Sequence, residues 1–292
     1  MPGINRVKTW VLIAALGGLF VLLGEVIFKG SKGLWIGLVF GLGFNLAMYW
    51  FSDKIAIATT RSKPVTEAQA PELYRIVREL TAERNLPMPR MYISDMMQPN
   101  AFATGRNPHH AAVSVTRGIL QILDERELRG VLAHELSHVT NRDILIGTIA
   151  AGIATAITFV TRMAFWFGGG LGGSDDDSGG ANPLIAMVAF LLAPIAAFLI
   201  QAAVSRSREF QADESGAYLS HDPEALASAL RKIELAARQV PVPSTVTPSQ
   251  AHLFIVNPFK GRQAAANFAN WFSTHPPTER RIERLEAIAR QI

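Results

Sequence analysis

The sequence predicts a mainly α integral membrane protein: four transmembrane helices carrying a helix-rich domain that contains a small β-sheet. Three observations predict it. The apolar residues are clumped into four segments of membrane-spanning length, the stretches outside them repeat at helical spacing, and only short runs carry the marks of strands. Of the 292 residues 49% are hydrophobic and 18% charged, which is unusual for a soluble domain, where about a quarter are charged.

The segments run from Trp10 to Phe28, Leu34 to Phe51, Ile144 to Phe167 and Pro183 to Val204. Crossing a hydrocarbon core of about 30 Å takes about 20 helical residues, and each segment is close to that length. The first follows Arg6 and Lys8 as a signal peptide would, but no A-x-A-like site comes after it and a second apolar run begins almost at once. It reads as a retained anchor. Lys and Arg near helix ends favour the cytoplasmic side. The loop "GGGLGGSDDDSGGAN" has neither, whereas Arg6, Lys8, Lys54, Arg61, Lys63, Arg142, Arg206 and Arg208 lie on the opposite side, and only Lys29 and Lys32 dissent. The domain and both termini are therefore expected in the cytoplasm. The chain divides into a two-helix anchor (1–51), a first domain part (52–143), a transmembrane hairpin (144–204) and a second domain part (205–292).

Within the domain, Pro71 to Arg84 predicts an amphipathic helix with Leu73, Ile76, Val77 and Leu80 on one face. "RMYISDM" and "AFATG…AAVSVT" predict short strands. Asp124 and Glu127 form a capping-box pattern that opens a helix bearing His134 and His138. Further helices are expected over Arg206 to Leu219, from Asp222-Pro223 onward, and over Pro277 to Gln291, with the Pro, Ser and Thr loop "QVPVPSTVTPSQ" between the last two.

Composition excludes some chemistry. There is no cysteine, so disulfides, thiolate nucleophiles and Cys-ligated zinc are ruled out, and a metal must be held by His and carboxylate. The net charge of +4 and pI near 9.6 follow from Lys and Arg flanking the membrane segments. No basic run interleaved with aromatics occurs, and no nucleic-acid partner is expected.

"VLAHELSHVTNRD" contains H-E-x-x-H. Residues i and i+4 project from the same helix face, so His134 and His138 can reach one metal ion, and zinc suits three N/O ligands with one open position. Glu135, beside the first ligand, can take a proton from water as it attacks a carbonyl and carry it to the leaving amine. Plain surface histidines do not fit Val131, Leu132, Ala133, Leu136 and Val139, which bury the helix and would make unpaired His and Glu costly. The expected domain is therefore zincin-like. The continuation H-x-x-G-x-x-H is absent, with Asn141 and Ile144 at its Gly and second His positions. A third ligand must come from elsewhere. His138 lies just before the third apolar segment and Glu209 just after the fourth; if those segments form a hairpin, both sit at similar height above the membrane and Glu209 can meet the histidines. Asp213, one turn later, is placed to accept a hydrogen bond from a ligand histidine and fix its tautomer. Without the zinc motif, pairing of these acids with Arg206 and Arg208 on a solvated helix would be the simpler account.

"PNAFATG", "HELSHVTNRD", "SRSREFQADESGA" and "STHPPTERRIERL", in this order with apolar segments between them, resemble the HtpX family of bacterial membrane-bound zinc metalloproteases, relatives of the CAAX prenyl proteases. The likeness spans most of the chain. It implies one Zn2+ per chain held by His134, His138 and Glu209, Glu135 as general base, Asp213 in support, and a multi-pass location in the bacterial inner membrane with the catalytic domain in the cytoplasm. It also implies that His275, on residue grounds only a loop histidine before a helix, donates to the oxyanion of the tetrahedral intermediate. Asn100, Ala101, Phe102 and Ala103 correspond to an edge strand beside the cleft, where an extended substrate would add as a strand; an ordinary edge strand is the equal alternative. His109, His110, His221 and His252 have surface or packing positions.

The leading function is an endopeptidase acting on polypeptides at the bilayer, in quality control of damaged membrane proteins. Prenyl-protein processing is the second reading; the short chain and four helices argue against it. The third, a zinc-stabilised membrane scaffold without turnover, has no use for Glu135. Oligomeric state has no signal in the sequence.

Overall fold

The computed structural model describes residues 14, 17–18, 20–21, 25, 30–141, 206–242, 246, 253–257 and 276–292. The third and fourth apolar segments, most of the first, His252 and His275 lie outside the described residues.

The second segment is a helix, α1 (Gly30–Thr59), whose stretch Gly30–Phe51 has a mean hydropathy of 1.6 and is long and apolar enough to cross a membrane. Trp35, Val39, Phe40, Leu42 and Leu46 are exposed along it, the arrangement expected of a lipid-facing surface. Gly37 and Gly41 leave room for the first segment: a Cβ on Gly37 would meet the Phe20 carbonyl at 2.3 Å, and Phe20 packs on Phe40 and Phe44. Small residues four apart allow such close helix crossing in lipid. The helix continues without a break past residue 51, and its last turns dock on the domain through buried Ala56 and the Asp53–Arg90 ion pair.

The sheet has four strands: β1 (Ser62–Pro64), β2 (Arg90–Ser94), β3 (Ala101–Gly105) and β4 (Ala111–Thr116), in the order β1-β2-β4-β3. β2 and β4 are parallel and the two outer pairings antiparallel, with Ala103 opposite Val113 and Tyr92 opposite Ser114. β1 has no counterpart among the strands expected from sequence. It is three residues long and held by hydroxyls, Ser62 Oγ lying 2.7 Å from both Thr60 Oγ1 and Ser114 Oγ, a polar contact with no apolar alternation to announce it. Gly105 closes the β3–β4 connection with φ +138, and a Cβ there would meet the His110 carbonyl oxygen at 2.3 Å.

Helix α2 (Pro71–Glu83) starts on a proline at N1 and buries Leu73, Ile76, Val77 and Leu80. A short α3 (Arg117–Ile122), not anticipated from sequence, starts on a Thr116 cap whose hydroxyl accepts from the Ile119 N–H. The metal-motif helix, α4 (Glu125–Thr140), opens with the capping box: Glu127 N–H donates to Asp124 Oδ1 at 2.9 Å and Asp124 N–H to Glu127 Oε2 at 3.0 Å. Glu127 is buried, and Ser228 Oγ and Lys232 Nζ also reach its carboxylate, so the cap fastens α4 to the helix over Pro223–Gln239 as well. The second domain part supplies α5 (Arg206–Ser220), α6 (Pro223–Gln239) and α7 (Thr278–Ala289). One core joins all of these, built from the inner faces of α2, β4, α4 and α6 with Ala217 and Leu219 of α5 and Leu285 of α7.

Candidate metal centre

Helix α4 presents His134 and His138 on one face, with their rings 4.9 Å apart and nearly perpendicular. Helix α5 crosses this face at very short range because residue 216 is glycine: a Cβ there would lie 2.8 Å from both Cα and N of His134. Glu209, Asp213 and Gly216 follow at i, i+4 and i+7, so a single stripe of α5 addresses the motif. The Glu209 carboxylate lies between the imidazoles, Oε2 at 3.8 Å from His134 Nε2 and Oε1 at 3.6 Å from His138 Nε2. One ligand atom from each residue falls within 4.8 Å of the others.

Behind this trio, Asp213 Oδ1 is 2.9 Å from His134 Nδ1. A proton on Nδ1 is shared with that carboxylate, and Nε2 is left to face Glu209. Arg281 of α7 completes the arrangement. It is fully buried and grips Asp213 with two hydrogen bonds, Nε to Oδ2 at 2.8 Å and Nη2 to Oδ1 at 2.6 Å. Arg281 Nη2 also lies 3.5 Å from His134 Nδ1, but two N–H donors cannot bond each other, so this is a packing contact. Burial alone would raise the Asp213 carboxyl; the Arg281 charge and hydrogen bonds, with His134, hold it down at about 2. Burial likewise pulls Arg281 down, and Asp213, Glu209 and Glu135 more than reverse it. Asp213 is thus an anion at any working pH.

Glu135 is buried, and its Oε2 accepts the Ala103 N–H at 2.9 Å. The side chain therefore leans from α4 onto the outer edge of β3. That edge is a strand edge, but it faces α4, and Ala101 and Phe102 are buried. The Ala103 N–H is thereby occupied. Asn100 has a different place from the one expected. It is fully buried, its amide donates to the Leu253 carbonyl at 2.8 Å and its Oδ1 accepts the Ile255 N–H at 2.9 Å, so the side chain ties β3 to the 253–257 segment and offers nothing to a cleft.

The donor set fits a divalent metal. Two imidazole Nε2 atoms and one carboxylate converge, a borderline-soft N/O set, and with all three ionised Glu135, Glu209 and Asp213 outweigh Arg281 by two negative charges. His109, His110 and His221 take no part: all are exposed, and His221 Nε2 pairs with Glu83 at 2.8 Å.

Sequence reasoning overlooked Arg281 and Gly216. For Arg281 a signal existed, since Thr278, Arg281 and Leu285 share one inward helical face, all buried. Gly216 could be noticed as a glycine inside a helix, but its partner is a backbone 82 positions earlier, which no local pattern reveals.

The family model for peptidase family M48 matches residues 67–289. A protease HtpX homolog of Syntrophobacter fumaroxidans is 54% identical over 287 residues, covering 97% of this chain and 99% of that protein, and one of Burkholderia mallei is 51% identical, covering 98% of each. Among solved structures, Ste24p of S. mikatae superposes with a TM-score of 0.51 at 20% identity, over 97% of this chain and 65% of that one, a likeness of fold. The family match takes in both helices that build the centre, and the chain belongs to peptidase family M48 as a metalloendopeptidase.

Proposed function

We propose that the protein is a zinc endopeptidase of the bacterial inner membrane that cleaves damaged or misfolded membrane-associated polypeptides from the cytoplasmic side. The observation that carries the chemistry is the convergence of His134, His138 and Glu209, with Asp213 behind one ligand and Glu135 beside it. These three hold one zinc ion per chain, which when bound supplies Lewis acidity that polarises the scissile carbonyl. Glu135, held in place by the Ala103 N–H, takes the proton of the attacking water and passes it to the leaving nitrogen. Asp213 keeps the proton of His134 on Nδ1, and Arg281 keeps Asp213 ionised. The backbone of Ala101 to Ala103 lines the substrate as an added strand, and His275 supplies a donor to the developing oxyanion.

The membrane setting is supported by α1 and by the four apolar segments, and the inward orientation by their flanking Lys and Arg. Homologues that are 54% and 51% identical carry the name protease HtpX homolog, which agrees with the hydrolysis of peptide bonds.

Replacing the base tests the reading. Glu135→Gln is expected to retain about one zinc per chain while peptidase activity on an unfolded test protein falls by roughly 100- to 10,000-fold. Wild-type turnover in that variant would exclude Glu135 as the base; loss of zinc would move it into the metal-holding set.

A further inference from the structure

A cavity of about 710 Å3 opens where the membrane-length stretch of α1 ends and the helix meets the sheet. One wall is a single face of α1, with Gly43, Leu46 and Trp50 at helical spacing and Lys54 one turn beyond. The other includes the β3–β4 turn with Arg106 and His109. Apolar wall and cationic rim follow one another along α1 in the order of a bilayer: hydrocarbon depth up to Phe51, charge just past it.

The two cations are held at that boundary without being neutralised. The Arg106 guanidinium lies over the Trp50 ring, its Cζ 4.3 Å from the centroid, and Lys54 Nζ lies 5.1 Å from the centre of Phe51. Among the described residues no carboxylate pairs with either; Asp53, the acid in the lining, is taken by Arg90 at 2.5 Å. A guanidinium and an ammonium both offer N–H donors to a phosphate. Basic pockets beside membrane helices on the cytoplasmic side suit anionic head groups.

We propose that this cavity binds an anionic glycerophospholipid, its phosphate held by Arg106 and Lys54 and an acyl chain laid along Gly43, Leu46 and Trp50. The proposal rests on α1 spanning the membrane. Its consequence for the enzyme is local: the turn bearing Arg106 follows directly from β3, whose Ala103 N–H positions Glu135, so a lipid seated there braces the edge of the active site.

Native mass spectrometry of the full chain in nonionic detergent, mixed with dioleoylphosphatidylglycerol or dioleoylphosphatidylcholine, tests it. The wild type should retain phosphatidylglycerol in preference, and K54Q/R106Q should lose that preference by about fivefold for each charge removed. K63Q/R117Q, which removes two cations that flank Asp95 instead, should keep it. Equal retention of the two lipids by the wild type, or a preference that survives K54Q/R106Q, overturns the proposal, as does displacement of the lipid by millimolar inorganic phosphate, which would mark a free-anion site. Release of the chain from membranes by alkaline carbonate would overturn the spanning reading beneath it, whereas a chain that stays in the membrane without lipid preference removes this proposal alone.

Discussion

Arg281 bears a burden out of proportion to its visibility in the sequence. Its guanidinium is the partner of a carboxylate that is itself the partner of His134, so it bears on the orientation of a proposed ligand that it does not bond. Burying such a pair costs desolvation of both ions, and removing one partner strands the other, at about 3–5 kcal/mol. Arg281→Met is therefore expected to lower the melting temperature of the detergent-solubilised protein strongly, because the buried Asp213 loses its cationic partner and keeps only the His134 contact. Asp213→Asn should be destabilising for the converse reason. The pair acts as a unit, so R281M/D213N should lose less than the two single losses combined, with a coupling of about 1–3 kcal/mol. Strict additivity would mean that the two side chains do not stabilise one another. Glu214, adjacent to Asp213, is exposed, which removes it as a substitute ligand.

At the scale of elements, the centre depends on how closely two helices approach. His134 and His138 are set by the geometry of α4 alone, and the H-E-x-x-H spacing makes them legible from sequence because i and i+4 share a face. So were the strands β2 to β4, the capping box at Asp124 and the inner face of α2, all of which obey local periodicities. The distance between α4 and α5 obeys none. It is set at Gly216, where the missing Cβ admits the His134 backbone, and this brings Glu209 to 3.6 and 3.8 Å from the imidazoles. A methyl group at that point cannot be absorbed by a side-chain rotation, since the atoms it meets are backbone. Gly216→Ala should push the helices apart, cost about 1–3 kcal/mol, and reduce zinc per chain measured by atomic emission, although every proposed ligand remains. Glu214→Ala, on the exposed face of the same helix, should leave the zinc content unchanged. Full occupancy in Gly216→Ala would show that the centre tolerates a wider spacing than this packing implies.

At the scale of the whole molecule, the candidate metal centre lies where the two parts of the domain meet. Helices α4 and α5 run antiparallel: His138 and Glu209 meet near the end where α4 stops and α5 begins, and Gly216 reaches back to His134. Asn141 and Arg206, the described residues that flank 142–205, therefore lie at the same end of the helix pair. From sequence, Glu209 is reached through an expected hairpin over residues 144–204, which lie outside the described residues; its closeness to His134 and His138 agrees with that choice. The sequence did not convey the continuity of α1 beyond residue 51, since a helix can change its polarity along its length without changing its backbone. The orientation that follows can be checked directly. A cysteine placed within Ser174 to Ser178, unique in a chain that has none, should react with a membrane-impermeant maleimide added to the periplasmic side, and one appended after Ile292 should not until the membrane is opened. The first loop, with Lys29 and Lys32, should label with the Ser174 site if both hairpins point the same way. Protection of the Ser174 site together with labelling of the C-terminal one would turn the molecule over and place the centre on the periplasmic face; labelling of both would break the hairpin, and with it the topological reason for pairing α4 with α5.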